Sequence, residues 1–325
     1  MKDRRVIIDT DPGIDDALAL ILAFSSPELK VEAITTVSGN VPLEDATRNA
    51  LQILEVLDLS EPPPVAYGAA RPIVREPLAA RHVHGEDGLG DIAVLTNVGG
   101  GPRYPRPTIS PVGTSAVELI LSLLSENPGE ISIIALGPLT NIALALESNP
   151  AAFSQVQEVI VMGGTVNGIG NVTETAEFNF YADPDAASRV IRSGTPIAII
   201  GLDVTTRTLL TPAALEASTR GRRDRVAEFI TDISSKYFEV SLQRRGLSGC
   251  PLHDPLAVGV AIDRSFVMLE SFQADVETEG RLTAGMLVAD RRKREAQPAG
   301  PTIRAAVDVQ SERFINFFLS RVLPP

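Results

Sequence analysis

Tryptophan is absent from the 325-residue chain, cysteine occurs once, histidine three times, and lysine only at positions 2, 30, 236 and 293. Each shortage excludes something. The lone Cys250 has no intrachain partner for a disulfide. Without a Cys-x-x-Cys pair or a His/Cys cluster there is no thiolate zinc site either. A reducing cytoplasm is the simplest home for such a chain. Any imidazole chemistry must use His82, His84 or His253. Positive charge is also in short supply, with 29 basic against 41 acidic residues and a net charge of −12. That balance argues against nucleic acid and anionic membranes as partners, since both require basic patches. No charged segment followed by an apolar one opens the chain, and no apolar run reaches membrane-spanning length.

What is present is a large apolar fraction, 44% of residues, laid out in a regular rhythm. Strands are predicted at 4–9, 31–37, 130–137, 156–164, 195–203 and 302–309. Helices are predicted at 15–26, 43–59, 139–149, 183–194 and 311–323. Strand–helix alternation at this spacing argues an α/β fold, a single-domain open sheet, mostly parallel, with helices on both faces. Two stretches interrupt the rhythm. The Gly- and Pro-rich 82–107 reads as a long irregular loop, and 220–250 as a charged helix followed by "QRRGLSGCP". Loops that long are uncommon unless functional, and 82–107 and 225–250 are candidate lids over a site. The basic run at 291–294 reads as a solvated surface loop.

In open α/β sheets ligands sit outside the carboxyl ends of the strands. The sequence places Asp9, Asp11, Asp15 and Asp16 after the first strand and Asn40 after the second. "ALGPLTN" follows the strand at 130, and Met162, Asn171, Glu177 and Asn179 follow the strand at 156. Asp203 comes after the strand at 195, and His253 with Asp254 late in the chain. Acids and amides dominate these ends, with almost no lysine or arginine. Carboxylates converging without basic partners must meet a cation or carry raised pKa values. Oxygen ligands suit a hard divalent ion, calcium or magnesium. Asp11 and Asp16 flank a Pro-Gly turn and can face one ion, with Asp254 closing the shell. Asparagines and Glu177 suit a polyhydroxylated ligand, because amides both donate and accept.

Each residue also has a local explanation. Asp15 and Asp16 open a helix, where acids cap free amides and suit the dipole. Asp9 can serve only to organise the turn, and "GPLTN" can be a plain strand-to-helix turn. His84 in a Gly-rich loop can be idle, and His253–Asp254 can cap the helix that follows. None of these explains why acids and amides gather at strand ends.

The stretch "IIDTDPGIDDALAL" (7–20) closely resembles the N-terminal signature of the inosine–uridine-preferring nucleoside hydrolases. Later blocks resemble the same family in order: "TTVSGN" (35–40), "VHGEDGLG" (83–90), "ALGPLTNIALAL" (135–146), "VMGGTVNGIGNVTETAEFNFYADPDAA" (161–187), "GLDVT" (201–205) and "HDPLAV" (253–258). The resemblance implies hydrolysis of the N-glycosidic bond of ribonucleosides to ribose and free base, with one bound calcium ion. Asp11, Asp16 and Asp254 match its carboxylate ligands, and Leu136 falls where the family supplies a backbone carbonyl. Asp11 matches the base that activates a metal-bound water, and Asp15 and His253 complete the expected catalytic set. Asp15, Asn40, Met162, Asn171, Glu177 and Asn179 match residues of the ribose pocket. His253 matches a histidine beside the leaving base and His84 one close to the nucleobase, while His82 has no clear counterpart. Tyr237, with Phe238, Gln243, Arg244 and Arg245, falls in the variable base-contacting region, and Ser241 replaces a tyrosine found in some members. Without tryptophan, the indole-sandwich purine-specific members are a poor match, so a broad or pyrimidine-leaning preference is expected. Family members are homodimers or homotetramers working in nucleoside salvage or catabolism, which sets the same expectation here.

Two other readings compete. A phosphatase of the haloacid-dehalogenase type also begins strand-D-x-D, but would need a lysine for phosphate at a strand end, and Pro12-Gly13 stands where Gly-Thr is expected. A catalytically silent nucleoside- or ribose-binding protein on the same fold would keep the pocket without turnover.

Overall fold

The computed structural model describes residues 3–292 and 300–324. Eleven strands are formed in the described residues. In chain order these are β1 Arg4–Thr10, β2 Leu29–Thr36, β3 Val65–Tyr67, β4 Ile131–Ala135, β5 Glu158–Met162 and β6 Ile197–Ile200. They continue with β7 Leu209–Leu210, β8 Cys250–Pro251, β9 Val267–Val276, β10 Leu287–Ala289 and β11 Thr302–Val309. The helices begin with α1 Ile14–Phe24, α2 Leu43–Leu57, α3 Arg81–His84, α4 Ala116–Glu126, α5 Thr140–Ser148, α6 Pro150–Phe153 and α7 Phe178–Ala182. They end with α8 Pro184–Arg192, α9 Leu202–Thr205, α10 Pro212–Thr219, α11 Arg225–Arg245, α12 His253–Ile262 and α13 Ser311–Val322.

Nine strands form one sheet in the order β10-β9-β11-β6-β5-β4-β1-β2-β3. Seven run parallel, and β9 and β10 close one edge antiparallel. Side chains of β1 alternate between two cores. Val6 and Ile8 join the apolar side chains of α1, α2, α11, α12 and α13 on one face. Ile7 joins those of α4, α5 and α8 on the other. A strand covered on both faces reads as a continuous apolar run, which is why "VII" gives no alternation in the sequence. Helix α1 is buried from Ile14 to Ala23, all round its axis, because it lies between the sheet and α12.

The mostly parallel sheet with helices on both faces agrees with the sequence. Its elements are trimmed: helix 15–26 ends at Phe24, helix 43–59 at Leu57, and strand 195–203 closes at Ile200 before α9. Strands β3, β9 and β10 and helix α4 lie outside the alternation read from the sequence. β9, inside the edge strand β10, interleaves Glu270, Ser271, Gln273 and Asp275 with its apolar residues, and this polar content weakens its strand signal. Segment 82–107 is largely irregular, with part of α3, a 3-10 turn at Ile92–Val94 and an isolated Thr96–Pro102 bridge. Of the basic run 291–294, Arg291 donates to Asn167 Oδ1 and Arg292 pairs with Asp290, whereas Lys293 and Arg294 lie outside the described residues. Among the described residues no helix is long and apolar enough to cross a membrane.

The topology decides where a ligand can sit. From β1 the chain moves outward through β2 to β3, then returns to β4 on the other side of β1 and continues to β5 and β6. Connections leaving β1 and β4 therefore diverge, which opens a crevice at their carboxyl ends. Asp11 follows β1 there, and Leu136 follows β4.

Candidate active site

Helix α1 begins immediately after the Pro12-Gly13 turn, and its cap is part of the site. Asp16 Oδ2 accepts from the Gly13 backbone N–H at 2.9 Å and from Asn40 Nδ2 at 3.1 Å, and Asp16 Oδ1 accepts from Thr10 Oγ1 at 2.5 Å. The capping explanation thus holds for Asp16. Asp15, one residue earlier, makes no such bond and lines the crevice instead.

Asp11 is fully buried. Its Oδ2 accepts from the Asn40 backbone N–H at 2.6 Å, while its Oδ1 has no hydrogen-bond partner. Two glycines make room for it. A Cβ on Gly39 would stand 2.0 Å from Asp11 Oδ2, and one on Gly137 would stand 2.6 Å from Oδ1. Behind Asp11, Asp9 Oδ1 accepts from Thr35 Oγ1 and Asn141 Nδ2, at 2.5 and 2.7 Å.

Oxygens of Asp15, Asp16 and Asp254 lie within 4.8 Å of one another, and all three residues are buried. The geometry thus groups Asp15 with Asp16 and Asp254, where the family pattern implies Asp11 as the third carboxylate. Burial pushes all the acids up. Asp15 rises to about 8 through burial and then the Asp16 charge. Asp11 and Asp254 lie well above the usual carboxylate range, through burial and then their neighbouring aspartates. Burial takes Asp9 to about 7 against the pull of its Asn141 and Thr35 bonds. Like charges this close cannot all ionise unless a cation joins them. The donors are carboxylates plus the Leu136 carbonyl, which keeps one lone pair beyond the 2.6 Å bond it accepts from Asn179 Nδ2. The unpartnered Asp11 oxygen and this all-oxygen donor set fit a hard divalent ion.

Glu177 caps the short α7 from the pocket wall. It accepts from the backbone N–H groups of Gly164, Asn179 and Phe180 at 2.9, 2.9 and 3.2 Å, and burial raises it to about 7 against those bonds. Asn179 also donates to the Met162 carbonyl at 3.1 Å. These side chains, with Asp15, Asn40, Leu136, Asn171 and Asp254, line one cleft, whose upper wall carries His84, Tyr237 and His253. Asp11 and Asp16 lie beneath its floor. The segments expected to act as lids both contribute, through His82, Val83 and His84 and through Tyr237 and Arg245.

The histidines are held by specific partners. His84 Nδ1 accepts from the Ile14 backbone N–H at 3.1 Å, which leaves its proton on Nε2. Its ring lies 6.0 Å from that of Tyr237. His253 Nδ1 sits 2.8 Å from Thr205 Oγ1, and its Nε2 has no protein partner. Burial lowers both imidazoles to about 3, so both are neutral near pH 7. His253 and Asp254 open α12, whose Leu252 N-cap has no side-chain cap bond, so their position there is not a capping role. Sequence reasoning missed Thr10 and Thr205, which orient Asp16 and His253, and gave His82 no place. Asp203 binds the backbone of Val166 and Asn167 and so orders the loop after β5 rather than lining the cleft.

A mostly parallel sheet with a buried acid floor at its switch point, walled by amides and neutral histidines, defines the pocket of an α/β enzyme. The sequence profile of the family described as inosine-uridine preferring nucleoside hydrolase matches residues 6–316, and the chain belongs to that family. It is 36% identical to the pyrimidine-specific ribonucleoside hydrolase RihA of Salmonella arizonae over 318 residues, covering 98% of this chain and 97% of that protein. The RihA of Salmonella paratyphi C matches at 37% over the same share of each chain. Among solved structures, the plant nucleoside hydrolase PpNRh1 superposes with a TM-score of 0.90 at 34% identity, covering 99% of both chains. A purine-preferring ribonucleoside hydrolase from Gardnerella vaginalis gives 0.88 at 33%, covering 98% of both. The chain is accordingly an enzyme of the ribonucleoside hydrolase class. The phosphatase reading loses its ground to the family match, and among the described residues no lysine lines the cleft.

Proposed function

We propose that this enzyme hydrolyses the N-glycosidic bond of ribonucleosides with calcium at the acid floor, and that it favours pyrimidine bases. The observation that carries the reading is the unpartnered Asp11 Oδ1 together with a buried group of aspartates that, among the described residues, no arginine or lysine pairs with. A calcium ion, when bound by Asp11, Asp16, Asp254 and the Leu136 carbonyl, supplies the positive charge that keeps these acids ionised and polarises the attacking water. The geometric triad adds Asp15 to the candidate ligands.

Asp11 would take the proton from the water that attacks C1′, the role of a positioned general base. Asp15, Asn40, Asn171, Glu177 and Asn179 bind and orient the sugar hydroxyls, and Met162 packs on the sugar face. Their carboxylates favour the positive charge that develops on ribose. Binding the sugar far from the broken bond lowers the barrier as well as holding the substrate. His253, held at Nδ1 by Thr205 Oγ1, offers a proton from Nε2 to the departing base in the tautomer in which Thr205 donates, and His84 Nε2–H and Tyr237 face the same region. Segments 82–107 and 225–250 close over the base and exclude water.

The pyrimidine preference rests on the absence of tryptophan and on the RihA relatives, whose name states pyrimidine specificity. A reducing cytoplasm fits the single buried Cys250, and a homodimer or homotetramer is the assembly we expect, checked by light scattering. The test of function is release of reducing sugar from uridine, cytidine and inosine. We expect kcat/KM for the pyrimidines to exceed that for inosine by about tenfold or more, on the order of 1.4 kcal/mol of discrimination. A tenfold preference for inosine would overturn the pyrimidine assignment. Binding without any ribose release would make the chain a silent nucleoside-binding protein.

A further inference from the structure

Arg245 is the one permanently charged cation lining the cleft among the described residues. It ends α11, where Gly246 at φ 65° turns the chain away, and its side chain is exposed. Arginines elsewhere are engaged, as Arg222 is by Asp224 and Arg103 by Asp232 and Glu228. Among the described residues no ion pair or hydrogen bond engages Arg245. Its position follows from helix geometry. Tyr237, Ser241 and Arg245 are spaced four apart and share one face of α11. Tyr237 and Arg245 both line the cleft, while the small buried Ser241 between them does not. A serine at that turn leaves open the space under the guanidinium that a larger side chain would fill.

The charge layout of the cleft is polarised from floor to mouth. The floor holds Asp15 and Asp254, the wall holds Glu177, and the mouth holds Arg245 beside His82. After burial, the Arg245 charge is the largest influence on the His253 ring, which puts the guanidinium within electrostatic reach of that wall. The reaction imposes a matching polarity. The C1′–N bond breaks with its electron pair going to the base, so positive charge builds on the sugar and negative charge on the base. Water supplies the new C1′–O bond and, by way of the acid that took it and solvent, the proton the base finally carries.

We propose that Arg245 is a catalytic residue of this enzyme, its guanidinium donating hydrogen bonds to a carbonyl oxygen of the departing base and stabilising the negative charge formed there. A planar guanidinium with several N–H donors suits the ring oxygens of uracil and cytosine. Because the donor meets full charge only as the bond breaks, it acts on kcat more than on KM. The inference rests on the hydrolase reading above and is distinguishable from it.

The test compares two substrates in Arg245→Met and Arg245→Lys, each checked for an unchanged melting temperature. Uridine has a poor leaving group, whereas 4-nitrophenyl β-D-ribofuranoside releases a phenolate that needs little help. We expect kcat for uridine to fall by about a hundredfold in Arg245→Met, with KM changed by less than about threefold. The loss on the nitrophenyl riboside should be smaller by about tenfold or more, and added guanidinium ion should restore part of the uridine rate. Equal losses on the two substrates, or an effect confined to KM, would overturn the role. If the wild-type enzyme releases ribose from neither substrate, the hydrolase reading itself fails and the inference falls with it.

Discussion

The two ends of the parallel sheet treat charge in opposite ways. At the amino ends of the strands, Arg4 pairs with Glu158 at 2.7 Å, and Arg264 joins the same carboxylate. Arg5 reaches Glu32 at 2.6 Å and Glu130 at 3.1 Å, and Lys30 also meets Glu32, at 2.9 Å. Glu32, Glu130 and Glu158 thus each have a basic partner there. At the carboxyl ends, Asp11, Asp15, Asp16 and Asp254 are buried together with no basic partner, and an Asp11 oxygen has no bond at all. Both ends belong to the same strands and the same core. A chain that can neutralise charge at one end and leaves it unneutralised at the other is holding the second end for something it does not itself carry.

Substitutions break that contrast from either side. The largest effect is expected from Asp11→Asn, which keeps the Asn40 bond but removes the proton acceptor. kcat for uridine should fall by about a thousandfold or more, with the melting temperature kept or raised, because a neutral amide relieves repulsion in the floor. A rate near wild type would remove Asp11 from the chemistry. Next comes Gly137→Ala. Its Cβ would stand 2.6 Å from Asp11 Oδ1, so Asp11 or the β4–α5 turn must shift. We expect about a tenfold to hundredfold loss of kcat with little change in unfolding, because a displacement near 1 Å at a reacting group costs on that order. An unaffected rate would mean that the Asp11 position is not critical.

The paired end should answer in stability alone. Glu158→Gln leaves Arg4 and Arg264 facing each other without their shared acid, and should lower unfolding free energy by about 1–3 kcal/mol. Its kcat should stay within about twofold of wild type, as for a change remote from the site. A large drop in kcat with stability intact would contradict the division between the two ends.

The acid floor also predicts a pH dependence of the metal-free protein. Burial raises Asp9 from 3.8 to about 7, Asp15 from 3.8 to about 8 and Glu177 from 4.5 to about 7. Between those ordinary and raised values the folded protein binds more protons than the unfolded chain. Stability is therefore present at low pH and falls as pH rises through roughly 4 to 8. Melting temperature of the chelator-treated protein should decline across that window by several degrees. Excess calcium should flatten the curve, because a ligand that binds only the folded state adds stability that grows as the acids ionise. A metal-free curve that rises over the same range would contradict the assignment of these acids as buried and uncompensated.

The sheet and the acid floor were legible in the sequence because both depend on local pattern. "RRVIIDTDPG" gives a buried strand ending in acids, and the strand order then carries those acids to the switch point. Asn40, Met162, Glu177 and Asn179 were legible for the same reason, each following a strand end. Strands β3, β9 and β10 were not, since β3 and β10 are three residues long and β9 interleaves Glu270, Ser271, Gln273 and Asp275 with its apolar positions. Thr205 beside His253 was invisible because the two lie 48 positions apart and a threonine in "GLDVT" has no chemistry of its own. The clearance that Gly39 and Gly137 give Asp11 is also a long-range property, for nothing in either local turn names its neighbour. Arg245 had a signal, the four-residue spacing with Tyr237 and Ser241, but only the structure shows which face of α11 meets the cleft.

The account turns on whether the unneutralised end holds a cation that the reaction requires. Calcium should be added back in measured steps to enzyme stripped of metal and verified by elemental analysis, while ribose release from uridine is followed. The account predicts negligible turnover in the stripped enzyme and a rise that levels off near one calcium per chain. Full turnover in the verified metal-free enzyme would contradict it.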